Sequence, residues 1–235
     1  MKTVLIGLGG ASSSGKTITA KALCDILSPF KCSLAHLDDF YLSDDQIPID
    51  EKHGIKNWDC VEAIDFPRFK QYLRRIKDSG EAEKIDSLES DAGTKLSTNE
   101  LQKLRDYVAS YEDRFNDYHL VLVDGFMLYH DREILDLFDV KLFFYASFHT
   151  LKTRRESRDG YQTVDGFWQD PPGYFENIVW PSYMTTHSYL FEGNNIEANL
   201  TSFAREQLRI LPIRSDSLTL CQLVELSLKE ILTKL

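Results

Sequence analysis

Gly10-Ala11-Ser12-Ser13-Ser14-Gly15-Lys16-Thr17 follows an apolar run, Val4-Leu5-Ile6-Gly7-Leu8, and precedes a helix-like segment opening Ile18-Thr19-Ala20. The spacing is G-x-x-x-x-G-K-[ST], the phosphate-binding P-loop, in the strand–loop–helix setting that gives the motif its meaning. Glycines let backbone N–H groups converge on one point, and a helix N-terminus adds partial positive charge there. Lys16 can then reach the β- and γ-phosphates of a nucleoside triphosphate, and the Thr17 hydroxyl can ligate Mg²⁺. A Ser/Gly-rich turn that fits by chance is the bland alternative, and the complete motif with both flanks argues against it.

Carboxylates follow two further apolar runs. Leu37-Asp38-Asp39-Phe40-Tyr41 ends one of them, across a ligand crevice from the P-loop. A carboxylate there suits the proton of an acceptor hydroxyl, with Asp38 nearer the strand end; turn or capping roles compete, most evenly for Asp39. Val121-Leu122-Val123-Asp124 ends the other and resembles the Walker B strand that holds Mg²⁺ or its water. Past a later apolar run, Arg154-Arg155-Glu156-Ser157-Arg158 concentrates positive charge. If the segment is helical, Arg154 and Arg158 share a face while Arg155 points about 100° away. Guanidinium forks there could clamp phosphates with one pair and a second ligand group with Arg155, although a solvated basic face is the usual meaning of such a run. Trp58 and Tyr161 could stack on a planar base, and Asp59 could bond ribose hydroxyls. As single residues, Trp58 and Tyr161 are each more often a core or surface aromatic.

The elements that must position these residues alternate. Strands are expected at Thr3–Leu8, Cys32–Leu37, His119–Val123, Val140–Tyr145 and Leu208–Ile213, each a short apolar run of the kind buried on both faces. Helical patterns fall at Lys16–Leu27, Asp65–Lys77, Thr98–Asp113, Thr150–Arg158 and Leu218–Leu235. The alternation predicts an α/β P-loop NTPase fold: a doubly wound, parallel five-stranded sheet with helices on both faces. Ligands of such sheets gather at the carboxyl ends of the strands. One domain over 1–235 is expected, with a variable insertion at about 78–117, an arginine-bearing lid at about 154–175, and an exposed loop at Glu81–Ser97.

The chain has 235 residues, 43% hydrophobic and 12% aromatic, enough for a sizeable core. A formal net charge of −10 argues against a nucleic-acid partner. No apolar run is long enough for a transmembrane span or a signal peptide, and the four cysteines form no zinc pattern. An intracellular, cytoplasmic or also nuclear, protein is expected.

The P-loop, Leu37-Asp38-Asp39-Phe40-Tyr41, Asn57-Trp58-Asp59, Val123-Asp124-Gly125-Phe126, the arginine run, Gly160-Tyr161-Gln162 and Asp170-Pro171-Pro172-Gly173-Tyr174-Phe175 occur in an order that resembles the nicotinamide riboside kinases, fungal members in particular. The resemblance covers roughly residues 1–190. It implies transfer of the γ-phosphate of ATP to the 5′-hydroxyl of nicotinamide riboside, giving nicotinamide mononucleotide for NAD synthesis, with Mg²⁺ as cofactor. It implies Lys16 and Asp38 as catalytic, Asp38 as general base, and Thr17, Asp38 and Asp124 around the metal. Gly10 to Ile18 with Arg154 and Arg158 would bind ATP. Asp38, Asp39, Phe40, Tyr41, Trp58, Asp59, Arg155, Tyr161 and Gln162 would bind the nucleoside, with Asp59 and Arg155 on ribose and Trp58 and Tyr161 flanking the base. Trp58 stands where some members have Tyr, and Asp124 where some have Glu. A monomer or weak homodimer acting on small molecules, with no nucleic acid and no membrane, completes the expectation.

The physics of the substrate agrees, because the pyridinium ring is a flat cation that aromatic faces stabilise. A uridine, cytidine or other small-metabolite kinase is the nearest alternative. A P-loop switch module is the alternative from another class, but the chain carries no N-K-x-D tetrapeptide for guanine.

Overall fold

The computed structural model describes residues 1–81, 85, 87 and 95–235. Five parallel strands form the central sheet: β1 (Lys2–Gly10), β2 (Cys32–His36), β3 (Tyr118–Gly125), β4 (Val140–Tyr145) and β5 (Ile210–Arg214). Their spatial order is β2-β3-β1-β4-β5, so consecutive strands are joined by crossovers rather than hairpins. β1 sits in the middle, with Leu8 beside Asp124 of β3 and Gly10 beside Phe144 of β4.

Both faces of the sheet are covered, as the unbroken apolar runs require. Alternation along β1 sends Val4, Ile6 and Leu8 to one face, where they pack with α1 (Lys16–Ile26), α3 (Thr98–Ala109) and the C-terminal helix Leu220–Lys234. Leu5 goes to the other face, with Phe69, Leu73 and Ile76 of α2 (Phe66–Ser79) and a large aromatic group around Phe143. On that face Gly7 and Gly9 make room for the Tyr129 ring, whose hydroxyl donates to the Gly7 carbonyl at 2.7 Å; a Cβ on Gly9 would lie 2.8 Å from that ring.

All five expected helices form with ends shifted, and two of the shifts bear on the site or split the helix. The segment expected as Thr98–Asp113 stops at Ala109 and a separate turn, Glu112–Phe115, follows, because Tyr111 leaves helical geometry (φ −121°, ψ 21°). The arginine-bearing helix α4 runs Phe148–Glu156, two residues earlier than expected at both ends. Ser147 caps it by accepting from the Thr150 amide, so the register is fixed before the arginines are reached. A π-helical turn, Phe175–Val179, leads into α5 (Trp180–His187), which had no counterpart in the sequence reading. Two short antiparallel hairpins, Ile49–Asp50 with Ile55–Lys56 and Tyr161–Gln162 with Phe167–Trp168, stand outside the sheet. The loop expected at Glu81–Ser97 lies largely outside the described residues.

Candidate active site

The phosphate cradle is built where β1 meets α1. Gly10 has φ +123°, and a Cβ there would fall 2.0 Å from the Phe144 carbonyl oxygen, so only glycine fits. The Ala11 amide donates to that same carbonyl at 3.0 Å, pinning the loop to β4. Ser13 and Gly15 also take positive φ, turning the chain into α1, which has no acidic residue in its first turn. The positive end of the helix is therefore left for an anion. Lys16 arches over the loop and donates to the Ala11 carbonyl at 2.9 Å. Burial pushes its ammonium pKa down, while Asp124 and Asp38 pull it back up.

Asp124 closes β3 beside this cradle. Its Oδ2 lies 3.4 Å from His36 Nδ1, a pairing set by the register that puts His36 opposite Asp124. Burial alone would raise the Asp124 carboxyl. The His36 bond, the Lys16 charge and the Thr17 hydroxyl hold it below its ordinary value instead. Its other oxygen, Oδ1, is buried and has no hydrogen-bond partner. A hard oxygen left bare next to a hydroxyl fits Mg²⁺, which takes one or two carboxylates and otherwise water and phosphate oxygens. Among the described residues no set of three or more His, Cys, Asp or Glu forms a metal cage.

Asp38 follows β2 in a 3₁₀ turn, Leu37–Phe40, at the same carboxyl edge and within electrostatic reach of Lys16. Its neighbours divide. Asp39 accepts from the Ser87 hydroxyl at 3.0 Å. Phe40 is a core residue, 1% exposed and packed on Phe69. Tyr41 is half-buried and set edge-on to Trp58 at 5.5 Å.

Arg155 joins the two halves of the site. From α4 its Nη1 donates to Ser12 in the P-loop at 2.8 Å, and both Nη atoms face Asp59 at 3.3 Å. Its Nε bonds Asp170 at 2.6 Å, and its guanidinium lies 4.5 Å from the centre of the Tyr161 ring. Burial pushes the Asp59 carboxyl up and Asp170 adds to that, while Arg155 opposes both. The Trp58 amide donates to the Tyr174 hydroxyl at 2.9 Å, so the Asp59 loop is held from the far side as well.

The expected arginine pairing does not form. Because α4 ends at Glu156, Arg158 lies beyond the helix and turns to Tyr161, Nη1 to hydroxyl at 3.2 Å. Arg154 instead donates to the Ser215 carbonyl at 2.9 Å, past the end of β5. Trp58 is buried against Tyr41 and Trp168. Tyr161 already carries two guanidinium groups on its ring, and Gln162 is exposed, its amide donating to the Gly166 carbonyl. A flat cation stacking on Tyr161 would therefore replace a side-chain cation.

The family described as Phosphoribulokinase / Uridine kinase family matches residues 5–163, a span that contains the cradle, Asp38, Asp59, Asp124 and the arginines. The chain is 42% identical to the nicotinamide riboside kinase of Eremothecium gossypii over 85% of its own length and 82% of that protein. It is 41% identical to the Saccharomyces cerevisiae enzyme of that name over 85% of this chain and 83% of that one, and 39% to the Schizosaccharomyces pombe enzyme over 85% of each. The chain belongs to the nicotinamide riboside kinase branch of the phosphoribulokinase/uridine kinase family. Mouse nicotinamide riboside kinase 2 is similar at 29% identity over 77% of each chain.

Membership in this branch gives the unexpected residues a setting. His36, which orients Asp124, carried no motif; its signal was the in-register pairing of two strand ends. Asp170 and Tyr174, which hold Arg155 and the Trp58 loop, lay in a stretch already recognised as similar but without roles. Among the described residues no helix is long and apolar enough to cross a membrane.

Proposed function

We infer that this chain transfers the γ-phosphate of ATP to the 5′-hydroxyl of nicotinamide riboside, giving nicotinamide mononucleotide. The observation that carries the reading is Arg155, a single buried side chain bonded both to Ser12 of the phosphate cradle and to Asp59 of the acceptor side. A device that couples donor and acceptor pockets suits direct transfer between two small ligands better than nucleotide sensing. The fungal relatives named nicotinamide riboside kinases give the acceptor its identity.

In this mechanism the P-loop amides and Lys16 hold the β- and γ-phosphates, and Lys16 neutralises charge that spreads over the transferred group. Thr17 and Asp124, with Asp38 nearby, would hold Mg²⁺, which supplies charge neutralisation at the phosphates when bound. Asp38 orients the 5′-hydroxyl and takes its proton. Little basicity is needed, because the transition state is loose and positioning dominates. Asp59 and Arg155 fix the ribose. The segment at about 154–175 acts as the lid, its hairpin already tied to the Asp44 loop through Thr163. The whole chain works as one kinase domain, as a monomer or weak homodimer in the cytoplasm or nucleus.

The decisive assay measures ADP release by purified protein with Mg·ATP and a panel of nucleosides. Nicotinamide riboside should exceed uridine and cytidine in kcat/KM, with little turnover when no acceptor is present. Preference for uridine would move the chain to the pyrimidine kinases, and slow acceptor-independent hydrolysis alone would favour a switch.

A further inference from the structure

A small cavity lies beside the P-loop on the acceptor side. Ser12 and Asp59 line one side, and Tyr183, Thr186 and His187 of α5 also face it. Its free volume of about 10 Å³ is roughly that of one water-sized group, far below the roughly 300–1,000 Å³ of pockets enclosing a whole small ligand, so it admits no more than a hydroxyl-sized part of one. Two atoms of this helix, His187 Nε2 and the Tyr183 hydroxyl oxygen, are buried without any hydrogen-bond partner. Folded proteins seldom leave such atoms unpaired, and here two occur together, their rings 5.1 Å apart.

The surroundings of His187 fix what its ring can offer. The Thr186 hydroxyl spends its single proton on the Ser182 carbonyl at 2.7 Å. Toward His187 Nδ1, 2.8 Å away, it therefore presents a lone pair, and Nδ1 carries the proton. Complete burial pushes the His187 pKa down to about 3, so the ring is neutral and Nε2 is a bare acceptor. Tyr183 beside it can donate or accept. An acceptor next to a hydroxyl, lining the same cavity as a ribose-facing carboxylate, matches a sugar hydroxyl better than an anion or an apolar group.

We propose that His187 Nε2 and the Tyr183 hydroxyl read a ribose hydroxyl of the acceptor nucleoside, making α5 a specificity element that favours ribonucleosides over deoxyribonucleosides. The proposal rests on the kinase reading above and adds residues to its acceptor site. Asp59 takes one hydroxyl of the ribose diol and His187 accepts from the other. A deoxy analogue leaves His187 unpaired, and a site built to bond a hydroxyl discriminates strongly against a ligand that lacks it.

The test compares kcat/KM for nicotinamide riboside and its 2′-deoxy and 3′-deoxy analogues in wild type, His187→Phe, His187→Gln and Tyr183→Phe. His187→Phe keeps a ring of similar volume and deletes the acceptor; His187→Gln restores one. On the parent nucleoside His187→Phe should lose about tenfold or more, chiefly through KM, while on one of the two deoxy analogues it should match wild type within about twofold. His187→Gln should recover part of the loss. An equal loss on all three substrates, or none on the parent, would overturn the proposal in favour of packing or a buried water. Should His187→Phe fail to fold, Tyr183→Phe and His187→Gln carry the same comparison. If wild type does not phosphorylate nicotinamide riboside at all, the kinase reading falls instead. The ribo-against-deoxy preference is then read by calorimetric binding of adenosine and uridine and their deoxy analogues, and equal affinities for each pair would overturn the subsite too.

Discussion

Arg155 and Asp59, 96 residues apart in sequence, meet through both guanidinium Nη atoms, each 3.3 Å from a different carboxylate oxygen. Both are buried, and Asp170 completes the triad at the guanidinium Nε. One cation thus serves two carboxylates, and its removal leaves both without compensation. Arg155→Ala should therefore destabilise the protein by about 3–5 kcal/mol in urea unfolding, the usual cost of breaking a buried pair from one side. Arg155→Lys retains the charge but cannot span Ser12, Asp59 and Asp170 together. It should lose less stability than Ala and still raise the nucleoside KM. An unchanged urea midpoint in the alanine variant would mean that the triad does not hold these segments together.

Lys16 should matter for chemistry and not for the fold. Its ammonium is bonded to the Ala11 carbonyl, and burial already disfavours its charge. Lys16→Ala relieves the burial of a cation but also removes the charge facing Asp124 and Asp38, so the two effects oppose and the melting temperature should change little. Turnover should fall by about 10²–10³, the range for losing one preorganised electrostatic contact in phosphoryl or acyl transfer. Normal turnover would remove Lys16 from the phosphate site.

The parts of this site legible in the sequence are those whose geometry is local. Gly10 and Gly15 announce the loop because their φ values leave few alternatives, and the five strands declare themselves as apolar runs, two of them leading into Asp38 and Asp124. The arginine helix shows where local reading runs out. Its i, i+4 spacing was correctly noted, but Ser147 starts the helix at Phe148, and it ends before Arg158. His36, Tyr183 and His187 were missed for another reason. Each matters only through a partner brought by tertiary structure, Asp124 in one case and a shared cavity in the other. That Phe40 turns into the core was not legible either, because adjacency to Asp38 says nothing about which side of the 3₁₀ turn faces the core.

Arg154 and Arg158 should separate in mutagenesis, since they occupy different places. Arg154 anchors α4 to Ser215 through two hydrogen bonds, while Arg158 is exposed and leans on Tyr161. Arg154→Ala should lower the melting temperature and raise the KM for ATP. Arg158→Ala should leave the melting temperature unchanged and lower kcat, as expected of a side chain free to swing onto phosphates when the lid closes. Identical profiles for the two variants would contradict the separation.

Acid should destabilise the protein in part through His187. Its pKa is about 3 when folded against an ordinary value of 6.5. Between those values the unfolded chain binds a proton that the folded chain refuses, so stability rises with pH and is lost as pH falls from about 6.5 toward 3. The slope from this group approaches about 1.4 kcal/mol per pH unit within that window. Asp124, held below its ordinary value, adds loss in the same direction at lower pH. His187→Phe removes only the histidine contribution. Its urea stability between pH 6 and pH 4 should therefore vary less steeply than that of wild type, and parallel curves would show that the ring is already protonated or exposed.

The sharpest division of labour lies between Asp38 and Asp59. Asp38 stands at the carboxyl edge near Lys16, where the proposed mechanism brings an acceptor hydroxyl to the γ-phosphate. Asp38→Asn keeps size and hydrogen bonding but cannot take a proton, so kcat should fall by about two to four orders of magnitude. Affinity for ATP should change less, unless Asp38 also supports the metal. In that case raising Mg²⁺ would recover part of the activity. On the proposed reading Asp59 bonds the ribose in ground and transition states alike, so Asp59→Asn should raise KM more than it lowers kcat. It also removes one of two carboxylates around Arg155, but Asp170 still compensates the guanidinium, and the fold should survive. Steady-state kinetics of both variants with nicotinamide riboside separate the roles. Near-normal kcat in Asp38→Asn would shift the base to Asp39 or Asp124. Of these Asp124 is the poorer candidate, because His36 and Lys16 hold its carboxyl below its ordinary value and so make it a weaker base.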